Sequence, residues 1–455
     1  MGGHRTMNPY TVAFYTLGCK VNQSESQRFA REFEQKGYQV VDFEASAHAY
    51  VINTCTVTQM ADQKSRKMIR SLRKRSPQAL LVVTGCYAPA ASAQMAADDI
   101  DLIVPNAEKA DLANQVDQLL QMRRLEDHPV KIIEETMAHS SLKGLNRTRA
   151  TLKIQDGCRQ FCTYCIIPHV RGSWKSLPQA EVLQQTAELA AEGYKEIVLL
   201  GIHLGAYGWE RGEKEGLSQL LEKLLMRFPE IRFRLGSLEP MEATPALIEL
   251  VRRYPNLCKQ LHLPLQCGQD QILKRMNRPY TTEDFRQKAA EIRRVVPDIA
   301  LTTDVMVGFP GEGALEFQQC LDFVEEMGFS RLHVFAYSQR PGTEAAKMPG
   351  QVTPQNKQDR SRRMIALGDK LSRRYGQQWA GRSQEVLVEE EIGPGLWAGH
   401  TDNYLEVTFH WPPAVSDALE REREAGIKGS IQKVRLTGEP GCKPDSWEGE
   451  VMNSL

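Results

Sequence analysis

The sequence predicts an α/β chain in three parts: an open parallel α/β sheet, a partial β/α barrel and a small β-barrel. Three observations carry that expectation. Over roughly the first 120 residues, short apolar runs rich in β-formers alternate with polar, helix-like stretches, the pattern of an α/β layer. The alternation then resumes in six longer strand–helix units, the pattern of a partial β/α barrel. From Gln384 the texture changes to four short β-like runs at turn-rich spacing, which reads as a small barrel.

In the first part, strands are expected at Thr11–Leu17, Tyr38–Phe43, Ala49–Asn53, Leu80–Thr84 and Ile100–Val104. Helices are expected at Ser24–Lys36, with polar residues on most faces, and at Gln59–Arg75. Three isolated cysteines share one kind of position, just past a strand: Leu17-Gly18-Cys19, Asn53-Thr54-Cys55 and Thr84-Gly85-Cys86. In an open parallel sheet the carboxyl ends of the strands share one edge, where ligands bind. Cys19, Cys55 and Cys86 therefore form a candidate metal site, although any one of them alone reads as a small buried hydrophobe. The stretch Lys64–Arg75 carries Lys64, Arg66, Lys67, Arg70, Arg73, Lys74 and Arg75 without a carboxylate. It is either a solvated helix face or a contact for phosphates.

The second part follows a polar linker, Thr136–Arg149. A strand at Ala150–Gln155 delivers Cys158-Arg159-Gln160-Phe161-Cys162-Thr163-Tyr164-Cys165. This spacing lets one loop wrap three thiolates around an inorganic centre, and an iron–sulfur cluster held by three cysteines keeps one iron open to an outside ligand. His169 leaves a Cys3His zinc set as the competing reading. Further strands are expected at Glu196–Leu200, Arg232–Gly236, Gln260–Leu263, Ile299–Asp304 and Leu332–Ala336. The helices between them are expected at Pro178–Glu192, Leu217–Arg227, Thr244–Tyr254, Thr282–Val295 and Leu315–Met327. Chemistry in such barrels gathers at the carboxyl ends of the strands. There stand Gly201, His203, Ser237, Glu239, Gln266 and Asp304, small or polar residues suited to a bulky polar cofactor.

In the last part, Val352–Gly381 reads as a basic helix and either a soluble surface or a shelf for RNA backbone. The β-like runs are Glu385–Glu391, Leu396–His400, Tyr404–Phe409 and Ser430–Leu436, and the tail from Gly438 to Leu455 is expected to be disordered. The chain has 57 Lys+Arg and 57 Asp+Glu, so no global field announces a polyanionic partner and local basic segments must do that work. Met1–Pro9 lack an apolar core, and no apolar run approaches ~18 residues, so neither secretion nor membrane spanning is expected. Ten cysteines in such a chain suit a reducing, cytoplasmic setting, with metal-binding rather than disulfide chemistry.

The segment from Gln155 to Pro168, followed by Arg171-Gly172, resembles the cluster loop of the radical S-adenosylmethionine methylthiotransferases. His262–Gln266, Met276-Asn277-Arg278-Pro279-Tyr280, Val307-Gly308-Phe309-Pro310-Gly311-Glu312, Tyr337-Ser338 and Arg340-Pro341-Gly342-Thr343 are similar to later motifs of that family. The resemblance runs from about Ala13 to Thr437. It departs at Cys267, where serine is usual, and at Gly313, where threonine is usual. Cys258, Cys267, Cys320 and Cys442 read as structural thiols.

The resemblance implies a methylthiotransferase domain at 1–135 and a linker at 136–149. It further implies a radical S-adenosylmethionine barrel at 150–378, a TRAM-like RNA-binding barrel at 379–440 and a tail at 441–455. It implies two [4Fe-4S] clusters, an auxiliary one on Cys19, Cys55 and Cys86 and another on Cys158, Cys162 and Cys165, with S-adenosylmethionine on the open iron of the latter. Thr16-Leu17-Gly18-Cys19-Lys20-Val21-Asn22-Gln23 is similar to the branch that modifies N6-threonylcarbamoyladenosine. The expected partners are then a transfer RNA anticodon stem-loop and an electron donor such as flavodoxin or ferredoxin; the sulfur source stays open. The alternatives are isopentenyladenosine or a ribosomal protein as substrate and, more remotely, a zinc-stabilised RNA-binding protein without catalysis.

Overall fold

The computed structural model describes residues 10–95, 99–125, 148–411, 426–443 and 445–452. Most of the expected linker, 136–147, and residues 453–455 of the expected tail lie outside the described residues.

The first part is a five-stranded parallel sheet in the order β2-β1-β3-β4-β5. Along the chain run β1 (Thr11–Thr16), α1 (Lys20–Gln35), β2 (Gln39–Val41), β3 (Ala49–Thr54) and α2 (Gln59–Arg75). They are followed by β4 (Leu80–Gly85), α3 (Ala88–Gln94), β5 (Leu102–Val104) and α4 (Leu112–Leu125). Every residue of β3 and β4 is buried, as central parallel strands covered on both faces must be. Phe29 and Phe33 of α1 cover one face with Val116 of α4; Ile69 and Leu72 of α2 cover the other with Tyr87. Two differences from the sequence reading matter. Helices α3 and α4 were not anticipated. Helix α1 starts at Lys20 rather than Ser24, and its polar residues Asn22, Ser24, Glu25 and Ser26 are buried. They form an interface with the second part, where the Ser24 hydroxyl donates to the Thr151 carbonyl at 3.2 Å.

The second part opens with β6 (Arg149–Lys153) and then β7 (Gln155–Asp156), which pairs antiparallel with β8 (Lys175–Ser176) across the cysteine loop and α5 (Ile167–Arg171). Next come α6 (Gln179–Ala191), β9 (Glu196–Leu200), α7 (Gly216–Arg227), β10 (Arg232–Leu235), α8 (Pro245–Arg253) and β11 (Gln260–His262). The part ends with α9 (Asp270–Arg275), α10 (Thr282–Val295), β12 (Ala300–Val307), α11 (Ala314–Met327), β13 (Arg331–Ala336) and α12 (Pro354–Gln377). Two parallel three-stranded sheets, β10-β9-β6 and β11-β12-β13, are joined by single bridges from Phe233 to Leu257 and from Ser237 to His262. The result is the expected open barrel of six strands. Arg149, assigned to the linker from sequence, is the first residue of β6, and its Nε pairs with Glu389 at 2.7 Å.

The third part is a closed barrel of β14 (Ser383–Gly393), β15 (Leu396–Thr401), β16 (Glu406–His410), β17 (Ile431–Pro440) and β18 (Ser446–Val451), in the order β14-β15-β16-β18-β17. The expectation of a disordered tail from Gly438 is corrected here. Strand β18 lies inside that tail, pairs parallel with β16 and antiparallel with β17, and closes the barrel. Trp447 is buried opposite Val407, so the closing strand carries its own apolar anchor. The Gly-Cys-Lys-Pro-Asp sequence before it hid that signal.

Two buried arginines seat this barrel on the second part. Arg232 and Arg234 share the buried carboxylate of Glu196 at 2.5 and 2.7 Å. Their remaining donors reach the carbonyls of His400 at 3.1 Å and of Thr401 and Asp402 at 2.9 Å. Burial alone would raise the Glu196 carboxyl, but the paired guanidiniums hold it well below the usual range. Tyr404 sits at the three-way junction. Its ring lies 4.9 Å from the guanidinium of Arg234, 5.5 Å from that of Arg149 and 5.8 Å from the ammonium of Lys20.

The basic stretches are only partly free. On α2, Arg73 pairs with Asp101, and Arg75 pairs with Glu44 while covering Phe43. On α12, Arg360 pairs with Glu312, Lys357 donates to the Tyr337 carbonyl, Arg362 pairs with Asp359 and Arg363 donates to Gln318. Much of the α12 charge serves folding, which weakens its reading as an RNA shelf.

Candidate active site

Strands β1, β3 and β4 are neighbours in the sheet, so Cys19, Cys55 and Cys86 emerge at one edge. The glycines before two of them explain how closely. Gly18 and Gly85 have φ of +101° and +98°, a region L-residues avoid. A Cβ on Gly18 would stand 2.8 Å from the Cys55 sulfur, and one on Gly85 would stand 2.3 Å from the Thr54 carbonyl oxygen. Asn22 braces the edge, its side-chain amide donating to the carbonyls of Leu17 at 2.8 Å and Thr54 at 2.9 Å. Burial raises the Cys55 and Cys86 thiols above their ordinary values.

A charge network answers that burial. Glu25, on α1, accepts from Lys109 at 2.5 Å, from Lys153 at 2.7 Å and from Arg171 at 2.9 Å. Arg171 and Lys153 also pair with Asp156, at 2.9 and 2.7 Å. Three cations thus face two carboxylates. Burial pushes Glu25 up, yet Lys109, Arg171 and Lys153 together hold it well below the usual carboxylate range. Lys109 is pulled down from its usual value, burial outweighing its share of Glu25. The surplus positive charge is spent on sulfur: the Arg171 Nε–H donates to Cys86 Sγ at 3.2 Å.

The second cysteine set lies on the loop between β7 and α5. The Arg278 Nη1–H donates to Cys162 Sγ at 3.3 Å, and the Gln160 backbone N–H to Cys158 Sγ at 3.4 Å. His203 Nδ1 lies 3.6 Å from Cys158 Sγ, and its Nε2 bonds Glu242. Burial pulls His203 down, but Cys158 and Glu242 outweigh it and push it up to about 10. Burial pushes the Cys165 thiol up to about 12 and raises Cys162, partly offset there by Arg278. Thiols this reluctant to ionise become good ligands when a metal supplies the opposing charge.

Both sets fit an iron–sulfur centre on the chemistry of their surroundings. Each has a guanidinium N–H aimed at a cysteine sulfur, Arg171 on Cys86 and Arg278 on Cys162, which favours the thiolate. Among the described residues, no three Cys, His, Asp or Glu side chains close to the spacing of a single ion. The two sets are linked through the Arg171–Asp156 ion pair. Asp156, which pairs with Arg171, also accepts from the backbone N–H of Gly157 at 2.8 Å, directly before Cys158. His169 is turned toward the Phe161 ring at 5.8 Å.

The six expected cofactor positions divide. His203 and Glu239 line a cavity of about 910 Å³ together with Arg159, Trp174, Trp209 and Glu242. The other four stand elsewhere. Gly201 packs against Leu204, Ser237 bridges to His262, Asp304 pairs with His262 at 3.2 Å, and Gln266 adopts φ +65° beside Val305. Sequence reading quoted Arg171 only as part of the cluster-loop resemblance, without a role, and did not name Glu25, Glu242 or the two tryptophans. Glu242 had a usable signal, since it lies three residues after Glu239 on the same strand-end turn. Cys267 and Cys320, read as structural, are buried together, with Cys320 Sγ accepting from the Gly268 N–H at 3.1 Å.

Residues 11–105 match the family described as uncharacterized protein family UPF0004, and residues 152–324 match the radical SAM superfamily. The chain is 41% identical to the threonylcarbamoyladenosine tRNA methylthiotransferase MtaB of Bacillus subtilis, over 88% of this chain and 90% of that protein. It is 33% identical to the protein of the same name from Thermotoga maritima, over 97% and 99%. A tRNA-2-methylthio-N(6)-dimethylallyladenosine synthase from Methylacidiphilum infernorum is 34% identical over 84% of each chain. The fold is similar to that of the radical S-adenosylmethionine methyltransferase TsrM from Kitasatospora setae, with a TM-score of 0.54 at 14% identity over 86% of this chain and 80% of that one. No helix among the described residues is long and apolar enough to cross a membrane. With the parallel sheet, the open barrel and the cysteine loop in the places that the sequence assigned them, the chain belongs to the MtaB-type tRNA methylthiotransferases, radical S-adenosylmethionine enzymes that use an iron–sulfur cluster.

Proposed function

We propose that this enzyme places a methylthio group on C2 of N6-threonylcarbamoyladenosine beside the anticodon of transfer RNA, giving 2-methylthio-N6-threonylcarbamoyladenosine. Two iron–sulfur centres serve the reaction, one on Cys158, Cys162 and Cys165 and an auxiliary one on Cys19, Cys55 and Cys86. The observation that carries the two-centre reading is Arg171, which touches the Cys86 sulfur and, through Asp156, the backbone before Cys158. The Arg171–Asp156 ion pair thereby ties both cysteine sets to one interface. The threonylcarbamoyl substrate is supported by the names of the relatives at 41% and 33% identity. The dimethylallyladenosine reading is kept as the second, since a relative of that name stands at 34%.

An aromatic C–H is neither acidic nor electrophilic, and bound S-adenosylmethionine with its cluster supplies the radical chemistry that side chains lack. The protein's own residues do the positioning. Trp174 and Trp209, in edge contact at 5.2 Å, wall the cavity, and Arg159 stacks over Trp174 at 5.4 Å. Glu239 is tied to Arg278, so the rim of the cavity and the Cys162 sulfur move together. A small redox protein such as flavodoxin or ferredoxin is the expected electron donor.

The assignment is tested by expressing the gene in a strain that lacks 2-methylthio-N6-threonylcarbamoyladenosine and analysing its transfer RNA nucleosides by mass spectrometry. That nucleoside should appear. A methylthiolated isopentenyladenosine in its place would transfer the chain to the second reading, and no methylthio nucleoside at all would refute both.

RNA contact is expected on α2, where Arg66, Lys67, Arg70 and Lys74 line a groove of about 430 Å³ with Gln63 and Ser71 and no carboxylate. Converting Lys67 and Arg70 to Gln should weaken transfer RNA binding and reduce the slope of log K against log salt by about 2, one for each lost phosphate contact. An unchanged slope would remove α2 from the interface.

A further inference from the structure

We propose that the inner face of β13 recognises the carboxylate of the threonylcarbamoyl group, with Arg331 binding it and His333 beside it, and so separates this anionic substituent from an apolar one. The inference rests on the substrate reading above. The strand register fixes the face. Arg331, His333 and Phe335 stand opposite Thr302, Asp304 and Met306 of β12, so all six side chains point to one side of the sheet. The other side of β13 is turned to α12, where a Cβ on Gly368 would meet Leu332 at 3.3 Å. Across the inner face the His262 ring of β11 lies 5.5 Å from the His333 ring. The opposite half of the barrel is filled, since Val21 of α1 packs on Val198 and Leu200 of β9.

The polar groups on β11 and β12 satisfy one another. Gln260 Nε2 donates to the Thr302 hydroxyl at 2.9 Å, His262 Nδ1 lies 2.9 Å from the same oxygen, and His262 Nε2 pairs with Asp304 at 3.2 Å. Those on β13 do not. Among the described residues the side chains of Arg331 and His333 form no hydrogen bond or ion pair, and Phe335 is 52% exposed although it faces into the barrel. Burial pulls the His333 imidazole below its ordinary value, and His262, Arg331 and Lys20 push the same way against Asp304, so positive charge converges on this face. The carboxylate among these groups, Asp304, is already held by His262. A threonylcarbamoyl group ends in a carboxylate, which a guanidinium takes up through charge-assisted, bidentate bonds. A dimethylallyl group carries no charge and would leave Arg331 and His333 unanswered. Four residues of strand span about 13 Å. A base lying against Phe335, at the carboxyl end of β13 where barrel chemistry gathers, therefore directs its N6 substituent along the strand toward Arg331.

The test uses the full chain, reconstituted anaerobically with iron and sulfide, and anticodon stem-loops that differ only at the target adenosine. One carries N6-threonylcarbamoyladenosine, one its threoninol analogue, in which a neutral hydroxymethyl group replaces the carboxylate, and one unmodified adenosine. Binding is read by fluorescence anisotropy of end-labelled RNA. The parent should bind the acid form more tightly than the threoninol form by roughly 10- to 100-fold, the value of a charge-assisted hydrogen bond of about 1.5–3 kcal/mol. R331Q should erase that ratio by weakening the acid form alone. R331K, which returns the charge without the planar fork, should recover part of it. H333Q should narrow the ratio to a smaller extent, and it reads the same preference if R331Q does not fold. An unchanged ratio in R331Q would overturn the proposal. So would an equal loss for all the stem-loops, since Arg331 would then be holding RNA backbone or the fold. A parent that binds the acid and threoninol forms alike, both more tightly than adenosine, would overturn the proposal and leave the substrate reading standing. A parent that binds unmodified adenosine as tightly as the acid form would overturn the substrate reading, and the proposal would fall with it.

Discussion

Replacing Cys162 with Ala is expected to abolish cleavage of S-adenosylmethionine, whereas replacing Cys55 with Ala should leave cleavage intact and stop methylthio insertion. The two residues lie on different loops, one after β7 and one after β3, and the two loops have different surroundings. Cys162 is bound by Arg278, which reaches on to Glu239 at the cavity rim, so its loss disturbs the place where S-adenosylmethionine is expected. Cys55 lies at the sheet edge, against Gly18 and beside Thr56, away from that cavity. On the two-centre proposal each variant should also lose about half of the bound iron, because three ligands become two in one of the proposed centres. The check is paired: 5′-deoxyadenosine release by chromatography, and modified nucleoside by mass spectrometry, on the same anaerobic samples. Multiple methylthiolated products from Cys55→Ala would refute its role in sulfur delivery. Retained cleavage in Cys162→Ala would refute the assignment of the loop.

The second large effect is expected at Glu25. Glu25→Gln preserves shape but removes the carboxylate that Lys109, Lys153 and Arg171 share, leaving the buried Lys109 and Arg171 and the half-buried Lys153 with Asp156 as the carboxylate of the network. Breaking a buried ion pair from one side costs about 3–5 kcal/mol, so the variant should unfold at clearly lower denaturant concentration. The same group shapes the acid limb of the parent. The folded carboxyl is held well below its ordinary 4.5, so its contribution is complete above that value and is lost as pH falls toward the lower folded one. The stability difference between parent and Glu25→Gln should therefore be constant at neutral pH and shrink in acid. A difference that grew on acidification would show that Glu25 is not the anion of this network. Arg171 should also lose its set position, so the spectrum of the auxiliary centre should change in Glu25→Gln while S-adenosylmethionine cleavage persists.

The architecture was legible because its signals are local. Glu196–Leu200 and Thr282–Val295 begin and end where the sequence places them, since an unbroken apolar run and a Thr281–Asp284 capping box are each contained within a few residues. The misread places are those where tertiary contacts changed the meaning of a residue. Asn22, Ser24, Glu25 and Ser26 are polar by composition, and are buried against the barrel. Strand β18 looks like a tail until β16 and β17 are present to pair with it. The basic helix α12 looks free until Glu312, Tyr337 and Phe317 occupy its charges.

The sequence by itself determined the two cysteine sets, the three-part order of the chain and the family motifs. Cysteine spacing within a loop and position after a strand are properties of a short segment, and they survive without knowledge of the rest. Only the tertiary structure decided which charges serve those cysteines. Arg171 and Glu25 are 146 residues apart, and Arg340 reaches Thr56 across 284. An arginine in a sequence is by default a solvated charge. It becomes a buried donor to sulfur only when folding removes the water that would otherwise have satisfied it.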